Sequence, residues 1–184
     1  AGVAVINGFG KSVGLVQVQE LGVLESPIAL TNTFSVPAVA AAQIRQCVAA
    51  NPECGRSLPT VNPLVFECND GYLNDIQRMA VGEADYLAAC SSASGSMAQG
   101  AVGAGRGMSC FGLKGGIGSA SRRVDGLDVG ALVLANFGLM PNLLLAGRPV
   151  GRELAGRLEA RKPEAGPEKG SILVLVATDP PLHG

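Results

Sequence analysis

Apolar and polar positions alternate with different periods along the chain, and the changes of period mark the elements. Val3–Phe9 and Val13-Gly-Leu-Val-Gln-Val-Gln19 read as two short strands, with Asn7-Gly8-Phe9-Gly10 as the turn between them. Pro27-Ile-Ala-Leu-Thr-Asn-Thr33 reads as a third strand. Ser35 then stands as a cap with Pro37 in the first turn, and Ala-Val-Ala-Ala-Ala-Gln-Ile-Arg-Gln-Cys-Val predicts a helix running to Ala49 or Ala50. Its small residues suit close packing. Asn62-Pro-Leu-Val-Phe-Glu67 predicts a short buried strand, and a second helix is expected over Gly82–Cys90, starting as early as Met79.

The second half is written differently. A glycine-rich block covers Gly95–Gly118, and its simplest reading is a hairpin that pairs Met108–Leu113 with Ser119–Val124 across Lys114-Gly115-Gly116. Glycine-rich loops also cradle phosphates, because backbone amides must approach an anion closely. Here no GxxxxGK[ST] occurs, and no Gly-x-Gly-x-x-Gly stands between a strand and a helix. Val129-Gly-Ala-Leu-Val-Leu-Ala-Asn136 predicts a buried strand, and a further apolar piece, Leu143–Ala146, follows. From Arg152 to Lys169 charged residues concentrate around Pro163, Gly166 and Pro167, which predicts a mobile linker over 151–170. Ser171-Ile-Leu-Val-Leu-Val-Ala177 is the most strand-like run of all.

Composition narrows the function classes. The chain has 184 residues, 47% hydrophobic and 16% charged, with a formal net charge of −1, which argues against a polyanion-binding surface. With no Trp, two Tyr and five Phe, the core is expected to be aliphatic, and no nucleic-acid or membrane partner is predicted. Five cysteines at irregular spacing, Cys47, Cys54, Cys68, Cys90 and Cys110, give no disulfide framework and no C-x-x-C pair. They are expected to be reduced, structural thiols in a cytoplasmic protein. The single histidine, His183, leaves no zinc set and no cysteine–histidine pair, so no metal or cofactor is expected. The chain starts Ala1-Gly-Val-Ala-Val-Ile6 and stops at Pro180-Pro-Leu-His-Gly184, and both ends read as cuts in a longer protein.

The candidate chemistry lies at Lys169-Gly170-Ser171-Ile172, where the charged linker ends and a strand begins. A Gly-Ser before a strand is often only a loop end. Cleavage of that peptide bond, however, would leave a hydroxyl and an α-amine on one residue. An α-amino group has a pKa of about 7.7–8.0, so it acts as base for its own hydroxyl without a histidine. Glycine before the serine also reduces crowding for attack on the preceding carbonyl.

Five stretches together resemble the L-aminopeptidase/D-esterase and β-peptidyl aminopeptidase family. They are Pro27-Ile-Ala-Leu-Thr-Asn-Thr-Phe-Ser-Val36, Glu67-Cys-Asn-Asp-Gly-Tyr-Leu-Asn-Asp75, Gly107-Met-Ser-Cys-Phe-Gly-Leu-Lys-Gly-Gly-Ile-Gly-Ser-Ala-Ser-Arg122, Leu132-Val-Leu-Ala-Asn-Phe-Gly138 and Gly170-Ser-Ile-Leu-Val-Leu-Val-Ala-Thr-Asp-Pro180. They fall in the family's order. The resemblance implies an α+β fold, a four-layer αββα sandwich of the N-terminal-nucleophile-like type, incomplete here at both ends. It implies cleavage between Gly170 and Ser171, so that 1–170 corresponds to an α-subunit-like portion and 171–184 to the start of a β-subunit-like portion. Ser171 matches the nucleophile, Asn136 the oxyanion-stabilising asparagine, and Tyr72 the active-site tyrosine, with Asn69 an adjacent candidate for that position. The implied activity is an aminopeptidase acting on short peptides, amides or esters through an acyl-enzyme, with no cofactor, in a homo-oligomer of processed pairs.

Two readings compete with it: an acyltransferase of the ornithine acetyltransferase kind, which carries threonine where Ser171 stands, and an inactive ligand-binding homologue. The chain also departs from the family's pattern. Asn7-Gly-Phe-Gly-Lys11 stands where Asn-Gly-Asn-Gly-Glu is usual, and Gly105-Arg-Gly107 replaces a Gly-Thr-Gly-like stretch. The family also draws on a serine and a glutamate some tens of residues beyond the nucleophile, whereas the given sequence ends 13 residues after Ser171.

Overall fold

The computed structural model describes residues 1–6, 8–157 and 170–179. Asn7, most of the predicted linker and the tail containing His183 lie outside the described residues. Helices and strands are mixed in an α+β arrangement, and the described residues form two compact units.

The first unit comprises residues 1–68 and 75–97. Strand β1 (Ala29–Asn32) pairs in parallel with β2 (Val65–Cys68), with Thr31 opposite Glu67 and Asn32 opposite Cys68. All four residues of β2 are buried. Helix α2 (Val36–Ala50) lies on this pair, and α3 (Glu83–Ser92) lies on α2. Val36, Val39 and Ala42 of α2 meet Val65 and Tyr86 in the core, a cluster built from small side chains and one aromatic. The buried Gln43 ties the layers together: its Nε2 donates to Pro27 O at 2.7 Å, and its Oε1 accepts from Leu64 N at 2.8 Å. A buried amide is tolerable only with partners of this kind, because an unmet donor or acceptor costs about 1–3 kcal/mol.

The N-terminal strand prediction is corrected here. Among the described residues Val3–Ile6 joins no strand. Val13–Gln19 is not a strand either. Val13 alone bridges to Val65, and α1 (Leu15–Leu21) follows at once. Gly14, at φ +89°, turns the chain into that helix, and Gly22, at φ +67°, ends it with its N–H on Val18 O at 3.0 Å. Two left-handed glycines thus override the alternating pattern between them.

The second unit comprises residues 69–74 and 98–184, described as far as Asp179. Its frame is an antiparallel sheet in the order β5 (Gly116–Val124), β6 (Leu127–Asn136), β7 (Ser171–Thr178). Register runs from Gly116 opposite Ala135 to Val124 opposite Leu127, and from Val129 opposite Thr178 to Asn136 opposite Ser171. A short ribbon, β3 (Ser109–Cys110) with β4 (Leu113–Lys114), precedes it. Met108 and Leu134 are fully buried, and Met140 nearly so.

The hairpin prediction is therefore corrected. Met108–Leu113 does not pair with Ser119–Val124; the partner of β5 is β6, across Asp125-Gly126 at φ +52° and +82°. That Asp-Gly pair has the backbone sign that a two-residue turn between twisted strands demands. Gly115 and Gly116 serve close packing instead. A Cβ on Gly115 would lie 2.6 Å from Ala135 O. The predicted linker also begins differently: Val150–Ala155 is a short helix, α4, whose Gly151 fits tightly against Met140.

Candidate active site

Ser171 is the first residue of β7, and its register partner is Asn136, the last residue of β6. Two residues facing each other at the end of an antiparallel ladder have Cβ atoms about 4.5–5.5 Å apart, so their side chains meet without help from a loop. Here Asn136 Nδ2 lies 3.3 Å from Ser171 Oγ and donates to it. A second donor comes from the main chain, Asn69 N to Ser171 Oγ at 3.1 Å.

The Asn136 amide is fixed from both ends. Its Oδ1 accepts from the N–H of Ser109 at 2.9 Å, and its Nδ2 donates to the carbonyl of Asn69 at 2.6 Å as well as to Ser171. A backbone donor on one side and a backbone acceptor on the other dictate which end of the amide faces the serine. Asn69 completes a small closed arrangement, its own Oδ1 accepting from Gly71 N at 2.9 Å.

Two glycines let these backbones approach. A Cβ on Gly107 would stand 2.5 Å from the Cβ of Asp70, beside Asn69. A Cβ on Gly170 would stand 2.6 Å from Phe137 Cβ, 2.9 Å from Phe137 Cα and 3.2 Å from Asn136 O. The residue before Ser171 thus lies against the end of β6 with room for hydrogen alone. Phe137 itself stacks edge-on with Phe111 at 5.2 Å.

Of the residues singled out in the sequence, the structure brings Ser171, Gly170 and Asn136 together. Tyr72 stands apart: the residue is 67% exposed, and it makes no hydrogen bond to Ser171 or Asn136 among the described residues. The neighbouring Asn69 is the member of Glu67–Asp75 that reaches the serine, through its main chain. A main-chain donor carries no side-chain signature, so only its nearness to Tyr72 in the motif pointed to it. Ser109 was not singled out at all, for the same reason.

In the first unit, the Phe9–Lys11 departure shapes a buried carboxylate's surroundings. Glu67 accepts from Lys11 N at 3.0 Å and from the Thr33 hydroxyl, while Lys11 Nζ rests 3.5 Å over the Phe9 ring. Arg106, the other departure, is exposed. Among the described residues no group of three or more His, Cys, Asp or Glu side chains is placed to hold a metal ion. No described helix is long and apolar enough to cross a membrane. Among the described residues the five cysteines form no disulfide.

Comparison with known proteins identifies the relatives of this chain. The model of peptidase family S58 matches residues 1–184. The chain is 41% identical over 197 aligned positions to the beta-peptidyl aminopeptidase BapA of Sphingosinicella microcystinivorans, covering 99% of this chain and 49% of that one. Among solved structures, the PH0078 protein of Pyrococcus horikoshii OT3 superposes with a TM-score of 0.87 at 45% identity, over 98% of this chain and 50% of that one. The L-aminopeptidase D-Ala-esterase/amidase of Ochrobactrum anthropi superposes with a TM-score of 0.85 at 37% identity, over 98% of this chain and 50% of that one. That enzyme is described as a prototype for the serine aminopeptidases and a new variant among the Ntn hydrolase folds. The chain spans about half the length of the curated relatives it matches.

Proposed function

The chain belongs to peptidase family S58, and from that premise we propose that the protein is a self-processing serine aminopeptidase with Ser171 as nucleophile. The observation that carries this reading is the Ser171 hydroxyl held between Asn69 N–H and Asn136 Nδ2, directly after a glycine whose site admits no side chain.

Maturation would begin with attack of Ser171 Oγ on the carbonyl carbon of Gly170. The Oγ–C bond forms, the C–N bond breaks, and the hydroxyl proton ends on the nitrogen. Water then hydrolyses the ester, leaving a Gly170 carboxylate, the free hydroxyl and a new α-amino group. In turnover that amine takes the Oγ proton as Oγ attacks a substrate carbonyl, and returns it to the departing amine or alcohol. Water releases the acyl group by the same route. Asn136 Nδ2, with the Asn69 N–H beside it, supports the negative oxygen of the tetrahedral intermediate, a contribution of roughly 3–4 kcal/mol for one well-placed donor. Tyr72 takes no part in this account.

Short peptides, amides and esters with a free N-terminus are the proposed substrates, in keeping with the names of the relatives. The complete assembly is proposed to be a homo-oligomer of processed pairs with an αββα layering. The test uses the full-length protein on a denaturing gel. Two bands are expected, the C-terminal one beginning Ser-Ile-Leu-Val, and Ser171→Ala should give one uncut band with no hydrolysis of aminoacyl or β-aminoacyl p-nitroanilides. Cleavage that persists in Ser171→Ala overturns the reading, and transfer to an added amine acceptor in preference to water would turn it toward an acyltransferase.

A further inference from the structure

Lys114 has no place in the reaction described above, yet its ammonium is fully engaged. Nζ donates to three main-chain carbonyls, Gly115 O at 2.8 Å, Gly105 O at 2.9 Å and Met108 O at 3.0 Å. Three acceptors use all three of its N–H groups. Among the described residues no carboxylate pairs with it, so its charge falls on peptide oxygens. The Met108 carbonyl also accepts from Gly115 N at 2.8 Å.

The Met108 carbonyl and the Ser109 N–H belong to one peptide plane. At its other edge, that plane donates from Ser109 N to Asn136 Oδ1 at 2.9 Å. A continuous path therefore runs from the Lys114 ammonium, through the Met108–Ser109 peptide and the Asn136 amide, to Ser171 Oγ. Each link is a resonance-delocalised amide that accepts at oxygen and donates at nitrogen. Positive charge at the first oxygen makes the first N–H more acidic, and that in turn sharpens the second. Chains of this kind strengthen each member by about 10–30% per bond. The path is also held rigid, since Gly107 leaves no room beside Asp70 and Gly115 none beside Ala135.

We propose that Lys114 is a positioning residue for the reaction, orienting and polarising Asn136 through the Met108–Ser109 peptide so that Nδ2 is a stronger donor where the oxyanion develops. This rests on the reading of Ser171 and Asn136 given above. Its effect belongs to the transition state, so it acts on kcat and not on KM.

The test is a double-mutant cycle on the cleaved full-length enzyme. Lys114→Met keeps most of the length of the side chain and removes charge and donors; kcat should fall about tenfold, with KM within about twofold. Lys114→Arg, which retains charge and donors, should recover most of the loss. In an Asn136→Ala background, Lys114→Met should cost nothing further, because the path has already been cut. If Lys114→Met does not mature, the rate of self-cleavage followed on a gel replaces turnover as the readout in all four proteins. An unchanged kcat in Lys114→Met, or an equal loss with and without Asn136, overturns the relay. Asn136→Ala with unimpaired turnover would instead overturn the reading of the asparagine, and the relay with it.

Discussion

The Ser171 hydroxyl accepts two hydrogen bonds, from Asn69 N at 3.1 Å and Asn136 Nδ2 at 3.3 Å, and each can be removed separately in thought but only one by mutation. Asn136→Ala deletes the side-chain donor; kcat is expected to fall about 10²–10³-fold, the scale of one lost oxyanion donor, and steady-state hydrolysis of an aminoacyl anilide measures it. Asn136→Asp is expected to be at least as damaging. It places a carboxylate oxygen where Nδ2 now meets the Asn69 carbonyl at 2.6 Å, so attraction becomes repulsion. Gly170→Ala tests the other side of the serine. Its methyl would stand 2.6 Å from Phe137 Cβ, and self-cleavage should slow measurably in a time course on a denaturing gel. Ser171 and Asn136 were legible in the sequence because both sit at strand ends in a recognisable motif. Ser109 was not, and Asn69 was named only as an alternative to Tyr72, because what the two contribute is main-chain N–H, which every residue but proline has.

At the scale of elements, length and unbroken periodicity separated what was readable from what was not. Helices α2 and α3 and strands β6 and β7 follow their patterns closely. Two of the misreadings share one cause, which is glycine used for its backbone. Gly14 and Gly22 convert an alternating run into a seven-residue helix. The conspicuous Gly115-Gly116 drew the turn to the wrong place, while the true turn was the quieter Asp125-Gly126, the dipeptide that most favours a two-residue hairpin. Gly126→Val should therefore destabilise the β5–β6 hairpin by roughly 1–2 kcal/mol, because a β-branched residue resists φ of +82°. Denaturant unfolding monitored by circular dichroism would record the shift in midpoint.

The α2–α3 contact carries a pH signature. Burial pushes the Tyr86 phenol up to about 12 from 10.0, with the Cys90 thiol acting in the same direction. A pKa raised on folding gives a stability contribution that is whole below the unfolded value and is lost as pH climbs to the folded one. Unfolding free energy should thus decline between pH 10 and about 12, and the decline should be smaller in Tyr86→Phe. Absorbance at 295 nm, compared between the two proteins, would identify the phenol responsible.

For the whole molecule, the base proposed for turnover exists only after cleavage. The dependence of kcat/KM on pH should rise with an apparent pKa near that of an α-amino group, about 7.7–8.0. Acetylating the new terminus should abolish activity while leaving the fold intact. Arrangement at this scale was legible only through the five motifs in their order, since nothing in local periodicity says that residues 69–74 join a unit otherwise made from the second half of the chain.

If the chain is cut between Gly170 and Ser171 as proposed, the ladder from Val129–Thr178 to Asn136–Ser171 has a consequence for the thermodynamics of the processed protein. Before the cut, β7 is tethered to β6 by covalent chain, and unfolding is a one-body event whose midpoint ignores concentration. Afterwards the same eight pairings join two polypeptides. Refolding then becomes a bimolecular association, the apparent melting temperature climbs with protein concentration, and a sample diluted after denaturation returns less activity than one diluted before processing. On the proposed reading, self-cleavage would supply the base and, in the same act, make the loss of structure hard to reverse.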